Sequence, residues 1–220
     1  MIQKPTLKFL NDVNENNNRE WFAEHKERYL LAKENVADFG ESVFSELGKT
    51  DVLEKLKLYR IYKDVRFSKE KIPYNRHLGG RMIRATKYRR GGYYFHIEPQ
   101  NTYVVGGFWR PNKGDLLRIR QEFAADAEVL REILNDGNFR RIFKELEGEQ
   151  LKTAPRDFDK EHSAIDLLRY KQFIVRRAFS DKEVLSADFV KHVVSTYETM
   201  RPFLDYMSLV LTTDENGEEV

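Results

Sequence analysis

The chain has 220 residues, 40% hydrophobic and 13% aromatic, with a formal charge of +2 and no cysteine. That length suits one substantial core. The lack of cysteine excludes disulfides, thiol catalysis and thiolate metal sites, and the near-neutral total excludes a surface that is basic throughout.

The N-terminus, Met1-Ile2-Gln3-Lys4-Pro5-Thr6, lacks the basic-then-apolar order of a signal peptide. A short helix over 6–13 turns Leu7, Phe9 and Leu10 toward a core. Residues 18–47 read as a helical region capped by Asn18, with Trp21, Phe22, Tyr29, Val36, Phe39, Val43 and Phe44 recurring at roughly helical spacing. Gly40 inside it marks a kink or a break. The preceding Asn16-Asn17-Asn18-Arg19 is a turn whose capping role accounts for Asn18 and leaves Arg19 open to a ligand. Period-two patterns follow at 58–65, 93–98 and 102–109, which read as strands. Pro99-Gln100-Asn101 is short enough for a hairpin turn, making the last two antiparallel.

Residues 66–92 form a long, largely irregular connection with a helical turn within 78–87, and a loop of that length suggests function. Gly106-Gly107 inside an apolar strand pattern calls for a bulge or a close approach. Helices are expected over 113–125, 126–135, 138–147, 161–169 and 187–207, with Asp136-Gly137-Asn138 as a stop-and-restart signal. Residues 173–179 give another strand, and 212–220 an acidic, disordered tail. The sum is a single α+β domain over 1–211: a central, mainly antiparallel sheet of about four or more strands flanked by N- and C-terminal helices.

Charge is distributed unevenly. Residues 60–90 carry eleven Lys or Arg against Asp64 and Glu70, a local +9, so the remainder sums to −7. Concentrated positive charge suits an anion. Arg66, Lys69 and Lys71 supply charge and Ser68 and Tyr74 supply donors, without the glycines or Gly-Lys-Ser/Thr order of a P-loop. Alternation within 58–65 and 93–98 places Arg60, Tyr62 and Asp64 on one face and Tyr94, His96 and Glu98 on another. If the two strands are neighbours, Arg60, Asp64, His96 and Glu98 gather on one surface. There His96 serves as acid or base, oriented by Asp64 or Glu98. The same alternation also describes a solvated sheet face held by cross-strand ion pairs. His96-x-Glu98 with Asp64 or His77 is a weak metal pattern in so basic a setting, so no metal is assigned.

Several segments together resemble the bacterial family called domain of unknown function 2461. They are Asn-Asn-Asn-Arg-Glu-Trp-Phe at 16–22, the run Arg-Ile-Tyr-Lys-Asp-Val-Arg-Phe-Ser-Lys-Glu-Lys-Ile-Pro-Tyr at 60–74, Gly-Tyr-Tyr-Phe-His-Ile-Glu-Pro at 92–99 and Gly-Gly-Phe-Trp-Arg-Pro at 106–111. Arg156-Asp157-Phe158-Asp159, Leu167-Leu168-Arg169-Tyr170-Lys171 and Phe173-Ile174-Val175 extend the likeness in order along nearly the whole chain. His77 falls where the family pattern also shows His after Pro-Tyr. The resemblance implies one compact bacterial domain and brings no activity with it.

The expected function is therefore binding of an anionic small molecule bearing phosphate or carboxylate, in the cytoplasm, with no cofactor and no membrane partner. Arg60, Arg66, Ser68, Lys69, Lys71, Tyr74, His77, Tyr94 and Arg110 form the candidate binding set, and His96, Asp64 and Glu98 the candidate catalytic set. A second reading is nucleic-acid binding through 60–90, with Tyr62, Tyr74, Tyr88 and Tyr93 stacking on bases. A third is a non-catalytic module that docks an acidic protein.

Overall fold

A computed structural model describes residues 1–66, 71–85 and 88–213. It shows an α+β fold, with helices at both ends of the chain and five strands in one antiparallel sheet. The strands are β1 (Leu53–Leu58), β2 (Leu78–Arg84), β3 (Gly92–Ile97), β4 (Thr102–Phe108) and β5 (Phe173–Phe179), paired in chain order. Chain order is what successive antiparallel connections produce, since each strand returns beside its predecessor. No helix among the described residues is long and apolar enough to cross a membrane.

Three N-terminal helices precede the sheet: α1 (Lys4–Glu15), α2 (Arg19–Glu24) and α3 (Lys26–Leu47). Asn18 caps α2, its side chain accepting from the Trp21 N–H at 2.9 Å. The break within 18–47 falls at His25, and α3 runs unbroken through Gly40. Gly40 serves packing: a Cβ there would lie 3.1 Å from both Leu56 and the Phe95 ring.

Two strand expectations are corrected. The first strand is Leu53–Leu58, while 58–65 continues only as a local pairing. In that pairing Tyr62 bridges Tyr74, and the Lys63 N–H donates to the Pro73 carbonyl at 2.8 Å. Aromatic and β-branched residues in 58–65 outweighed the plainer Leu-Lys alternation of β1. The irregular stretch assigned to 66–92 contains β2, hidden by Gly79-Gly80 and its arginines. Those glycines are there because a Cβ on Gly79 would lie 2.5 Å from the Phe95 carbonyl oxygen, and one on Gly80 2.9 Å from Leu58 and from Phe95.

After the sheet come α4 (Lys113–Ala125), α5 (Glu128–Asn135), α6 (Gly137–Phe143), α7 (Ile165–Leu168), α8 (Asp181–Val184) and α9 (Phe189–Thr212). Asp136 restarts the chain by capping α6, accepting from the N–H groups of Asn138 and Phe139. The helix expected over 161–169 shrinks to α7. Of the acidic tail, Thr212 ends α9 and 214–220 lie outside the described residues.

The chain divides into two compact units. The first comprises 1–82, 94–104 and 178–195. Its core stacks Phe39 on Phe189 (5.0 Å) and sets Phe39 edge-on to Phe95 (5.4 Å). The second comprises 83–93, 105–177 and 196–220. Within it Tyr93 packs on Tyr197 and Phe123 on Phe173, both strand rings fully buried. Gly107, at φ 138°, lies where a Cβ would come within 2.2 Å of the Phe173 carbonyl, so the Gly-Gly pair answers to a close approach of backbone.

Gly79→Ala is expected to destabilise the protein by about 1–3 kcal/mol, because the neighbouring backbone must shift. Gly137→Ala, with nothing within 4 Å of the new carbon, should stay within about 0.5 kcal/mol. Urea denaturation midpoints of the two variants check this.

Candidate functional site

Phe95 points to α3, so alternation along β3 turns Tyr94 and His96 to the opposite face of the sheet. There the imidazole of His96 has a ring on each side. His77, just before β2, lies 4.0 Å away at 29°, and Tyr103, on β4, lies 4.4 Å away at 13°. Two rings so close and so nearly parallel to a third must take its two faces. With these rings against it, His96 is only 6% exposed.

Both nitrogens of His96 are engaged. Nε2 lies 2.8 Å from Glu98 Oε2, and Nδ1 lies 3.1 Å from the Tyr94 hydroxyl. Burial pushes the Glu98 carboxyl up, but hydrogen bonds from His96 and from Asn101 (2.7 Å) outweigh it and hold the group below its ordinary value. An ionised Glu98 can only accept, so Nε2 of His96 carries the proton and donates. In a neutral ring Nδ1 then accepts from Tyr94. Burial, with Tyr103, Tyr59 and Glu98 nearby, raises the Tyr94 pKa and keeps its hydroxyl protonated. The three residues form one directed chain, from the Tyr94 O–H through His96 to the Glu98 carboxylate.

His77 differs. Burial lowers its pKa to about 4, helped by His96 and Lys63 and opposed by Glu98. It is therefore neutral at pH 7, and neither ring nitrogen has a hydrogen-bond partner among the described residues. Beyond β3, the turn is strapped at two points. Thr102 Oγ1 donates to the Glu98 carbonyl, and the Gln100 N–H donates to Asp181 at 2.8 Å, with Gln100 at φ 62°.

The structure thus brings Tyr94, His96, Glu98 and His77 together. Asp64 goes elsewhere: it takes a two-pronged hydrogen bond from the exposed Arg66 at 2.9 and 2.6 Å. Glu98 is the carboxylate that holds His96. Arg60 is exposed. Lys71 donates to the Val65 carbonyl at 3.1 Å. Tyr74 is core, stacked on Phe22 at 3.9 Å. Ser68 and Lys69 lie outside the described residues. Arg110 belongs to the second unit, exposed at φ 108°. Of the four tyrosines offered for stacking on bases, Tyr74 and Tyr93 are buried, while Tyr62 and Tyr88 are exposed.

Part of the +9 in 60–90 is answered in space by two acids from outside the stretch, Asp115 and Asp205. Besides Arg66 with Asp64, the buried Arg84 pairs with Asp205, Arg89 lies 3.7 Å from Asp205, and Arg90 pairs with Asp115 at 2.6 Å. Arg84, Arg89 and Arg90 thus tie their segment to α9 and α4 within the second unit.

The Asn-Asn-Asn run proves structural. Asn16 closes α1 on the Asp12 carbonyl, and Asn18 opens α2. Between them Asn17 grips the Tyr74 backbone, accepting from its N–H and donating to its carbonyl, both at 3.1 Å. Two motifs 57 residues apart therefore meet. A cleft of about 640 Å³ lies apart from these histidines, between α1 and α3, and is lined by Lys4, Lys8, Arg28, Asn35 and Asp38 among others. Its buried Asn35 is spent on Gln3, Thr6 and Met1. No group of three or more His, Asp or Glu among the described residues is placed to hold a metal ion.

The family described as "Conserved hypothetical protein (DUF2461)" matches residues 5–206. No curated protein and no solved structure matches.

In an NMR titration, the imidazole signal that disappears in His77→Phe is expected to have its midpoint near pH 4. Its folded pKa lies below the ordinary 6.5, so the unfolded chain binds more protons between those values. Stability should fall as pH drops from 6.5 toward 4, and His77→Phe should flatten that slope. A midpoint near 6.5 would refute the buried, neutral assignment.

Proposed function

The chain belongs to the DUF2461 family, and we propose that it binds a small phosphate- or carboxylate-bearing ligand on the sheet face that carries His77, Tyr94, His96 and Glu98. The supporting observation is His77. A half-buried imidazole held by stacking, with both nitrogens unpartnered among the described residues, gains hydrogen bonds only from something that comes to it. Lys63 is close enough to act on its charge, so an arriving anion meets a cation as well as an N–H.

His96 is a positioning residue in this scheme. Engaged at both nitrogens, it fixes the direction of the Tyr94 hydroxyl and passes the pull of Glu98 to it. If a reaction accompanies binding, neutral His77 suits a proton acceptor, while the Tyr94 oxygen, its hydrogen committed to His96, is free to accept a hydrogen bond from the ligand. The proposed setting is the bacterial cytoplasm, in keeping with a chain that has no cysteine.

An anion beside His77 favours its protonated form, so binding should take up a proton and tighten as pH falls from 7 toward 5. Sulfate is a suitable probe because its own charge is constant over that range. Expected outcomes are movement of the His77 signals on adding sulfate, a titration midpoint above 4 in its presence, and about tenfold weaker binding in His77→Phe. Unmoved His77 signals at tens of millimolar sulfate, or equal affinity in His77→Phe, would refute the proposal.

A further inference from the structure

A second feature of the same sheet face lies at β1 and β2. The Tyr59 N–H donates to the Gly79 carbonyl at 2.9 Å, which pairs these residues across the antiparallel ladder. Two steps further along, Lys57 stands directly opposite Arg81. The side chains of Leu56 and Leu58 lie against the positions of Gly40 and Gly80, on the α3 side. Alternation therefore puts Lys55, Lys57 and Tyr59 on the other face, with Arg81 and Tyr94.

Like charges directly opposed across a sheet repel, with Cβ atoms roughly 5 Å apart. Lys57 and Arg81 are both exposed, and neither has a carboxylate partner among the described residues. Lys55, also exposed, pairs with its neighbour Glu54, at 3.3 Å. Glu98, an acid on this face, is taken by His96 and Asn101. Beside the opposed cations stands Tyr59, 43% exposed and edge-on to Tyr94 at 6.1 Å. Cations and ring recur every second residue along β1, about 6.8 Å apart.

We infer that this face is a binding platform for single-stranded nucleic acid. Phosphates would sit at the Lys57–Arg81 pair and at Lys55, and a base would stack on Tyr59. An open row of cations ending in an exposed ring offers one phosphate or one base at each step, as a polynucleotide requires. A free nucleotide would leave most of its surface in water here and gain little. The platform uses none of the groups that carry the His77 site, so either can fail without the other.

The test is fluorescence anisotropy of a labelled oligothymidylate of about twelve residues with the whole chain, from about 50 to about 200 mM salt. Affinity is expected to fall steeply with salt. Lys57→Glu should weaken binding about tenfold and reduce the slope of log affinity against log salt by about 0.7. Tyr59→Ala should weaken it about fivefold or more. Lys191→Ala, a remote exposed cation paired with Asp188, should leave it unchanged. All three positions are exposed, so the variants should fold, which circular dichroism checks. No binding at the lowest salt, or equal affinity in Lys57→Glu, would overturn the inference. So would displacement of the oligomer by thymidine monophosphate at equal nucleotide concentration. Sulfate binding at His77 that survives Lys57→Glu would separate the two sites.

Discussion

The ring of Phe95 occupies space that two missing Cβ atoms leave open, at Gly40 of α3 and Gly80 of β2. Any side chain at either glycine would meet that ring at or within about van der Waals distance, so helix, strand and ring fix one another. Because a strand alternates, committing Phe95 to the core commits Tyr94 and His96 to the opposite face. The same constraint acts through Leu56 and Leu58 on β1, and so decides where Lys55, Lys57 and Tyr59 point. The polar chemistry of the sheet depends on an apolar contact on its other side.

Charge counted along a chain and charge arranged in space are different quantities here. The basic stretch is conspicuous in sequence because its compensating acids are distant: Asp115 and Asp205 answer Arg90 and Arg84 from α4 and α9. A buried Arg84 without its carboxylate would carry a large desolvation cost, so those arginines belong to the architecture of the second unit. The cations that stay exposed without such partners, Lys57 and Arg81 among them, are less conspicuous in the sequence. One of them lies outside the stretch altogether.

Sequence periodicity was enough to identify β3, β4 and β5 and the alternation that groups Tyr94, His96 and Glu98. It failed at β1, where three leucines among charges look weaker than the aromatic run that follows. It failed again at β2, where glycines that permit close packing look like loop residues. The misplacement of β1 carried Asp64 with it. Past Tyr59 the pairing changes register, 61–63 meeting 73–75, and Asp64 turns to Arg66. Tyr103 could not be found from sequence, because its place over His96 depends on which residues of β3 and β4 stand opposite one another. Asn17 was visible only as part of a polar turn; its grip on Tyr74 joins segments that nothing in local pattern connects.

The first compact unit is assembled from three stretches, the last of them 178–195, and the second takes the segments between and after them. Phe189, from that last stretch, lies flat on Phe39 of α3. During synthesis the N-terminal helices and the first strands therefore leave the ribosome long before the residue that closes their core. They must remain incomplete, with apolar surface uncovered, until more than four-fifths of the chain has been made. Neither unit corresponds to a continuous piece of gene. A fragment ending before 178 would release a polypeptide whose N-terminal core lacks one wall, the kind of species that chaperones retain and proteases clear.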